Sequence, residues 1–259
     1  MPVATNRCSI SIFFPAFNDE GTIAGLVRDA LDLLPMLTSD YQVLVINDGS
    51  TDGTAAVINE LAATHSHVRA IHHDRNRGYG GALQTGFKES EKELVFYTDG
   101  DGQYDVRELT RLWPLMTEGV AVVNGYKARR ADGPLRKMLG GVYNRLARLF
   151  FNLPVRDVDC DFRLIRRSML QDLGDLSNSG AVCVQLVRRL HTRGAVFAEV
   201  EVNHHPRRYG RSQFLTPSHV MRTVYDFWAA WFKLVCWPKL FRSKQSQSGS
   251  PAKFSVTSR

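Results

Sequence analysis

The chain has 259 residues, of which 44% are hydrophobic and 23% charged, enough apolar material for a sizeable packed core; a disordered or fibrous protein is excluded. A net charge of +7 and a pI near 9.4 admit nucleic acid, anionic lipid or a phosphorylated substrate as partner without choosing among them. The four cysteines, Cys8, Cys160, Cys183 and Cys236, form no CxxC and have no paired histidines nearby; this argues against a zinc site or a disulfide framework and for reduced thiols in a cytosolic compartment.

The N-terminal MPVATNRCSISIFF lacks the charged region and long apolar core of a signal peptide before Pro15 intervenes. Ser9 to Phe14 reads as a short apolar strand buried on both faces. A helix is expected from Thr22, with Ile23, Leu26, Val27, Ala30, Leu31 and Leu34 at helical spacing. Tyr41 to Ile46 is again a strand, and Ala55 to Ala63 a helix. The unit repeats with a strand near Val68 to Ile71, a helix near Gly80 to Phe87, a strand at Leu94 to Tyr97, a helix near Val106 to Met116 and a strand at Val120 to Val123. This alternation predicts an α/β fold with a mostly parallel, twisted sheet flanked by helices on both faces. Further on, a helix is expected around Gly141 to Phe151. Val158 to Arg167, Val182 to Leu190 and the alternating Ala195 to Val202 return to the core.

In such sheets ligands bind outside the carboxyl ends of the strands. Four loops gather there: PAFNDE (Pro15 to Glu20), NDGSTD (Asn47 to Asp52), NRGYGGA (Asn76 to Ala82) and TDGDGQ (Thr98 to Gln103). In the last, Asp99, Asp101 and Gln103 place oxygen donors two residues apart directly after a buried strand. A turn explains one Asp-Gly; a divalent cation bridging a diphosphate explains the whole pattern. Asp48 can accept hydrogen bonds from a base or ribose, whereas Ser50, Thr51 and Asp52 are also ordinary turn and cap residues. Pro15, Phe17 and Glu20 can surround a base, with Asn18 or Asp19 as the alternative cap of the next helix. NRGYGGA is not a complete GxGxxG, so a dinucleotide fingerprint is the weaker reading.

Two basic stretches follow. KARRADGPLRK (Lys127 to Lys137) and HHPRRYGRSQF (His204 to Phe214) carry guanidinium groups that match phosphate geometry, or are simply solvated loops. No groove-reading motif or string of stacking aromatics is present, so nucleic acid is not the expected partner. Within Val220 to Trp237, Arg222, Asp226 and Lys233 interrupt any membrane span. The segment reads either as an amphipathic helix in the interface of an anionic membrane or as a core-packing helix with buried tryptophans.

Together these motifs resemble the family 2 inverting glycosyltransferases, and within them the dolichyl- or polyprenyl-phosphate mannosyl- and glucosyltransferases. PAFNDE resembles the family's P-A-x-N-E opening, with Asp19 preceding Glu20. NDGSTDGT resembles its D-D-G-S-x-D-x-T loop with Asn47 in place of an aspartate, TDGDGQYD its D-x-D-x-Q metal motif, and RRYGRS its R-x-x-G-x-S segment. The resemblance runs from Ser9 to about Phe214.

It implies a nucleotide-sugar-binding GT-A type fold over 1–215; beyond it, the residues themselves read as an amphipathic, membrane-interface segment over 216–240 and, from low apolar content, a disordered tail over 241–259. The donor, a GDP- or UDP-sugar, would lie near Pro15, Phe17, Glu20, Asp48 and Asp99, with Mg²⁺ or Mn²⁺ on Asp101 and Gln103. Arg207 and Ser212 would face the diphosphate, and Lys127, Arg129, Arg130 and Arg136 the acceptor phosphate. A polyprenyl phosphate is already an anionic nucleophile and needs positioning more than a base. A hydroxyl acceptor needs one, and Asp161 in VDCDFR is then the nominee, unless it is simply ion-paired with Arg163 or another neighbour. The implied setting is the cytoplasmic face of a membrane, held peripherally or by a membrane protein partner.

Overall fold

The computed structural model describes residues 8–127, 134–207, 209 and 217–237. Its centre is a seven-stranded sheet. Strands β1 (Ile10–Ala16), β2 (Tyr41–Asn47), β3 (Val68–His72) and β4 (Leu94–Thr98) alternate with helices α1 (Ile23–Leu37), α2 (Thr54–Thr64) and α3 (Tyr79–Glu89). After β4 come a short α4 (Leu109–Leu112), β5 (Val122–Lys127), α5 (Pro134–Phe151), β6 (Phe162–Arg166), α6 (Val182–Thr192), β7 (Phe197–Val202) and α7 (Pro217–Trp231). A π turn over Phe232–Cys236 continues α7.

The strand order is β3-β2-β1-β4-β6-β5-β7. All joints are parallel except those of β6, which runs antiparallel to both β4 and β5. Successive side chains of β1 point to opposite faces. Ile12 and Phe14 therefore join a core with α1 and α2, while Phe13 joins one with α3 and α6. Both faces are covered, which is why β1, β2 and β4 are continuous apolar runs. On the second face Gly86 lets α3 approach β1, since a Cβ there would stand 2.4 Å from the Phe13 ring.

Two helices differ from their sequence expectation. The pattern from Val106 to Met116 is broken into 3-10 turns at Val106–Glu108 and Trp113–Leu115 around the four residues of α4, with Pro114 at the start of the second turn. Helix α5 begins at Pro134 instead of Gly141, because proline suits a first helical turn and the open surroundings of Gly141 tolerate the weak helix former.

The order of the strands positions the site. From β1 the chain moves outward through β2 to β3, then returns to place β4 on the other side of β1. This reversal opens a crevice between the carboxyl ends of β1 and β4.

Candidate active site

The crevice is built by PAFNDE after β1 and TDGDGQ after β4, and the two loops are stitched together. Gly100 N donates to Pro15 O at 3.1 Å, and Thr22 Oγ1 donates to Gly100 O at 2.8 Å. A Cβ at Gly100 would lie 2.6 Å from Pro15 O, so glycine is required for this approach. Pro15 is buried and Phe17 half-buried.

PAFNDE also locks onto NDGSTD. Asn18 takes a positive φ of 57°, accepts from Thr51 N at 2.8 Å and donates its own N–H to Ser50 Oγ at 3.0 Å. Glu20 Oε2 accepts from Gly53 N at 2.5 Å. Neither Asn18 nor Asp19 caps α1 with its side chain; the backbone oxygen of Asp19 takes the N–H groups of Thr22 and Ile23. Asp52 serves α2 as a local cap, accepting from Thr54 N at 3.0 Å.

Asp48 is buried, and its carboxylate is engaged by the loop after β3. Oδ1 accepts from Arg77 N at 2.8 Å and lies 2.7 Å from His73 Nδ1; Oδ2 accepts from Gly78 N at 2.9 Å. The donors expected from a nucleotide are thus matched by the chain's own backbone, and Asp48 fixes the wall formed by NRGYGGA. From that wall Tyr79 reaches across and donates its hydroxyl to Asp99 Oδ1 at 2.7 Å.

Four acids converge. Burial, then the charges of Asp161 and Asp101, push the Asp99 carboxyl well above the ordinary range. Burial pushes Asp19 up to about 6, with the Phe17 N–H opposing and the charge of Asp101 reinforcing the shift. Asp101 is 6% exposed, with Oδ1 accepting from Gln103 N at 3.0 Å and Oδ2 from Arg207 Nη2 at 2.5 Å. Gln103 is buried beside it and tied to the chain after β7: its Nε2 donates to His205 O at 3.0 Å, and its carbonyl accepts from His205 N at 2.8 Å.

The same returning segment supplies Arg207 and Tyr209. Tyr209 donates its hydroxyl to Glu20 Oε1, and its ring lies against Gly21, where a Cβ would come within 2.5 Å of it. The segment therefore closes over both ends of the crevice.

On the other flank, Asp161 accepts from Cys183 Sγ at 3.1 Å and lies 3.5 Å from Arg163 Nη1. Arg163, fully buried on β6, also donates to Asn124 Oδ1 and Tyr97 Oη, each at 2.5 Å, and to Val158 O. Lys127 does not extend outward. Its ammonium donates to Asp159 O at 2.6 Å and stands 3.7 Å from Asp157, so it ties β5 to the loop before β6. Arg129, Arg130 and Ser212 lie outside the described residues, as do the tail over 241–259 and the side chain of Arg136.

The structure thus brings together Asp99, Asp101, Gln103 and Arg207, with Glu20 at one end and Asp161 on the flank. The sequence does not single out Tyr79 or His73; it offers Asp19 only as a helix cap and Arg163 only as an ion-pair partner of Asp161, a pair the structure places 3.5 Å apart. Asp157 and the two acids of VDCDFR, Asp159 and Asp161, alternate with apolar residues, a signal that marks Asp157 and Asp159 as well as Asp161. Nothing in the local sequence around Tyr79 marks its contact with Asp99.

Asp99, Asp101 and Gln103 offer the hard oxygen atoms that Mg²⁺ or Mn²⁺ takes. Among the described residues no group of three or more His, Cys, Asp or Glu side chains is arranged to hold a metal. Mg²⁺ is usually held by one or two carboxylates, with substrate phosphates and water completing its shell. The guanidinium on Asp101 already provides a positive charge there.

A family model described as glycosyl transferase family 2 matches residues 11–174. Among solved structures, the chain is similar to glucosyl-3-phosphoglycerate synthase from Mycobacterium tuberculosis in complex with Mn²⁺, UDP and phosphoglyceric acid. The two are 20% identical with a TM-score of 0.64, over 87% of this chain and 79% of that one. The same enzyme with Mg²⁺ and UDP gives 20% identity and a TM-score of 0.64 over 86% and 79%. A structure described as a mycobacterial protein gives 18% and 0.66 over 86% and 75%. At these identities the likeness establishes the shared fold.

Proposed function

Because the chain belongs to glycosyl transferase family 2, we propose that it transfers a hexose, mannose or glucose, from a GDP- or UDP-sugar to a polyprenyl phosphate. Transfer proceeds with inversion, uses Mg²⁺ or Mn²⁺, and takes place at the cytoplasmic face of a membrane. The observation that carries the donor half is the Asp101–Arg207 pair, a buried carboxylate facing the crevice with its charge countered by a side chain from the closing segment. The similar solved structures that hold Mn²⁺ or Mg²⁺ with UDP support the same assignment.

When bound, the cation supplies positive charge to the diphosphate leaving group, where negative charge builds in the transition state. Asp101 and Gln103 would hold it, and Asp99, oriented by Tyr79, would face the donor. Arg207, exchanged from Asp101, presents its planar fork to the diphosphate oxygens. Tyr209 and Glu20 close the nucleotide end and limit the access of water. The acceptor phosphate attacks the anomeric carbon as an anion, so the chain has to position it and not deprotonate it. No base is needed in that case, and Asp161 is instead held by Cys183 and Arg163.

A second reading is favoured by the solved neighbour that holds phosphoglyceric acid. In this second reading the acceptor of the present chain is a hydroxyl, and Asp161 takes its proton.

Transfer of labelled sugar from GDP-mannose and UDP-glucose, with Mn²⁺, Mg²⁺ or EDTA, decides between them. Metal-dependent label in organic-extractable polyprenyl phosphate supports the first reading. Label in phosphoglyceric acid alone replaces it with the second. Binding without transfer under every metal leaves a non-catalytic nucleotide-sugar binder.

A further inference from the structure

Fourteen large hydrophobic side chains are exposed among the described residues, and eleven of them lie on α5 or within 217–237. On α5 Met138, Val142, Leu146 and Leu149 recur every three or four residues and are 43–75% exposed. On α7 and its π turn Val224, Trp228 and Phe232 repeat every four residues and are 46–50% exposed. Such spacing places each set on one helix face.

The two helices are packed against each other. Trp231 Nε1 donates to Phe150 O at 3.1 Å, and the Phe150 ring meets Trp228 at 5.1 Å and Trp231 at 5.6 Å. Phe227 and Ala230 are buried beneath them. Helix α7 thus has one face in the core and another outside. The inner face is the one the core-packing reading expects, and the exposed outer face is continued by α5.

Charge selects the occupant. The 18 residues of α5 include Arg136, Lys137, Arg145 and Arg148 and no acid. Within 217–237 Arg222 and Lys233 stand against Asp226, which accepts from Ser177 Oγ at 3.0 Å. Apolar residues bordered by basic ones, with half-exposed tryptophans, are the pattern of helices lying in the headgroup region of an anionic bilayer. A second copy would present the same positive charge and be repelled. Among the described residues no helix is long and apolar enough to cross a membrane.

We propose that α5 and α7 form one composite face that docks on an anionic lipid surface, with α5 an equal partner to the C-terminal helix. Helix α5 also links this face to the catalytic crevice: Asn144 accepts from Val158 N at 3.1 Å, close to Asp161. The buried Tyr143 hydroxyl has no hydrogen-bond partner among the described residues, and burial, then the charges of Asp159, Cys183 and Asp161, push its pKa up. The inference rests on the lipid-phosphate reading for its purpose, whereas its test reads bilayer binding alone.

The full chain is sedimented with vesicles of phosphatidylcholine alone or with phosphatidylglycerol, beside Leu146→Glu/Leu149→Glu on α5 and Val224→Glu/Tyr225→Glu on α7. Wild type should bind the anionic vesicles selectively, and each pair should weaken binding about tenfold or more, as loss of inserted apolar area demands. Quenching of wild-type tryptophan fluorescence by lipid-borne quenchers gives the same answer without a variant. An α5 pair that sediments like wild type, or a wild type indifferent to anionic lipid, overturns the proposal. So does a dimer, seen by ultracentrifugation, that the α5 pair disperses while vesicles remain unbound. Vesicle binding with no transfer to polyprenyl phosphate removes only the acceptor reading; transfer to a short soluble prenyl phosphate without vesicle binding removes only the docking face.

Discussion

Arg207 and Asp101, 106 residues apart in the chain, meet through a hydrogen bond of 2.5 Å at the mouth of the crevice. The bond joins the loop after β4 to the segment returning from β7, so the closing segment is held by the charge on the carboxylate assigned to the metal. A cation arriving at Asp101 competes with Arg207 for that oxygen, and a diphosphate arriving with it offers the guanidinium a new partner. Cation binding, donor binding and the position of the segment are thereby coupled.

Asp101→Asn tests the assignment. The amide keeps the shape of the side chain and an acceptor for Gln103 N, so the fold should persist by circular dichroism. Transfer should fall by about 10²–10³-fold, the usual cost of losing one electrostatic stabiliser of a leaving group. Metal-dependent turnover within threefold of wild type would remove Asp101 from the site.

Asp161→Asn separates the acceptor readings. With a phosphate acceptor no base is required, and the variant should keep its rate within about tenfold. With a hydroxyl acceptor the rate should drop by roughly 10²–10⁴-fold, the usual contribution of a general base. Single-turnover rates with each acceptor, measured across pH, distinguish the two.

The legible parts of the fold are those in which local sequence and tertiary burial agree. Strands β1, β2 and β4 are buried on both faces and read as unbroken apolar runs, and the polar loops after them mark the ligand edge of the sheet. The direction of β6 is different in kind: no tight hairpin precedes Phe162, and only its pairing with β4 and β5 shows it to be antiparallel. Arg163 is legible in the sequence only as an ion-pair partner for Asp161, because its other partners Asn124 and Tyr97 lie 39 and 66 residues away. Lys127 reads as an available cation for the same reason, since Asp157 and Asp159 reach it only after α5 has turned the chain back. Asp99, Asp101 and Gln103 were legible as a group because their spacing is local; the approach of Asp19 and Tyr79 depends on how three loops pack.

Arg163 gives a stability prediction. Its guanidinium is fully buried, ion-paired with Asp161 and hydrogen-bonded to Asn124, Tyr97 and Val158. Arg163→Ala leaves those groups without their donor and the Asp161 carboxylate without its counter-charge, which should cost about 3–5 kcal/mol. Denaturant midpoints should show it. A loss below about 1 kcal/mol would mean that water or a neighbouring group replaces the guanidinium.

Asp19 gives a pH prediction whose sign is fixed by its environment. Burial raises its carboxyl from 3.8 to about 6, and the charge of Asp101 adds to the shift. Between those values the folded chain holds a proton that the unfolded chain has released. Stability from this group is therefore complete below pH 4 and is lost as pH rises through 6. A shift of that size corresponds to at most roughly 3 kcal/mol. Asp19→Asn keeps an oxygen for the Phe17 N–H but cannot ionise, so it should match wild type near pH 4 and exceed it in stability at pH 8. Asp99 is shifted in the same direction and contributes to both proteins, so the difference between them isolates Asp19. Melting curves in EDTA at the two pH values measure that difference, and an equal gap at both would show that the Asp19 carboxyl is not held neutral by burial.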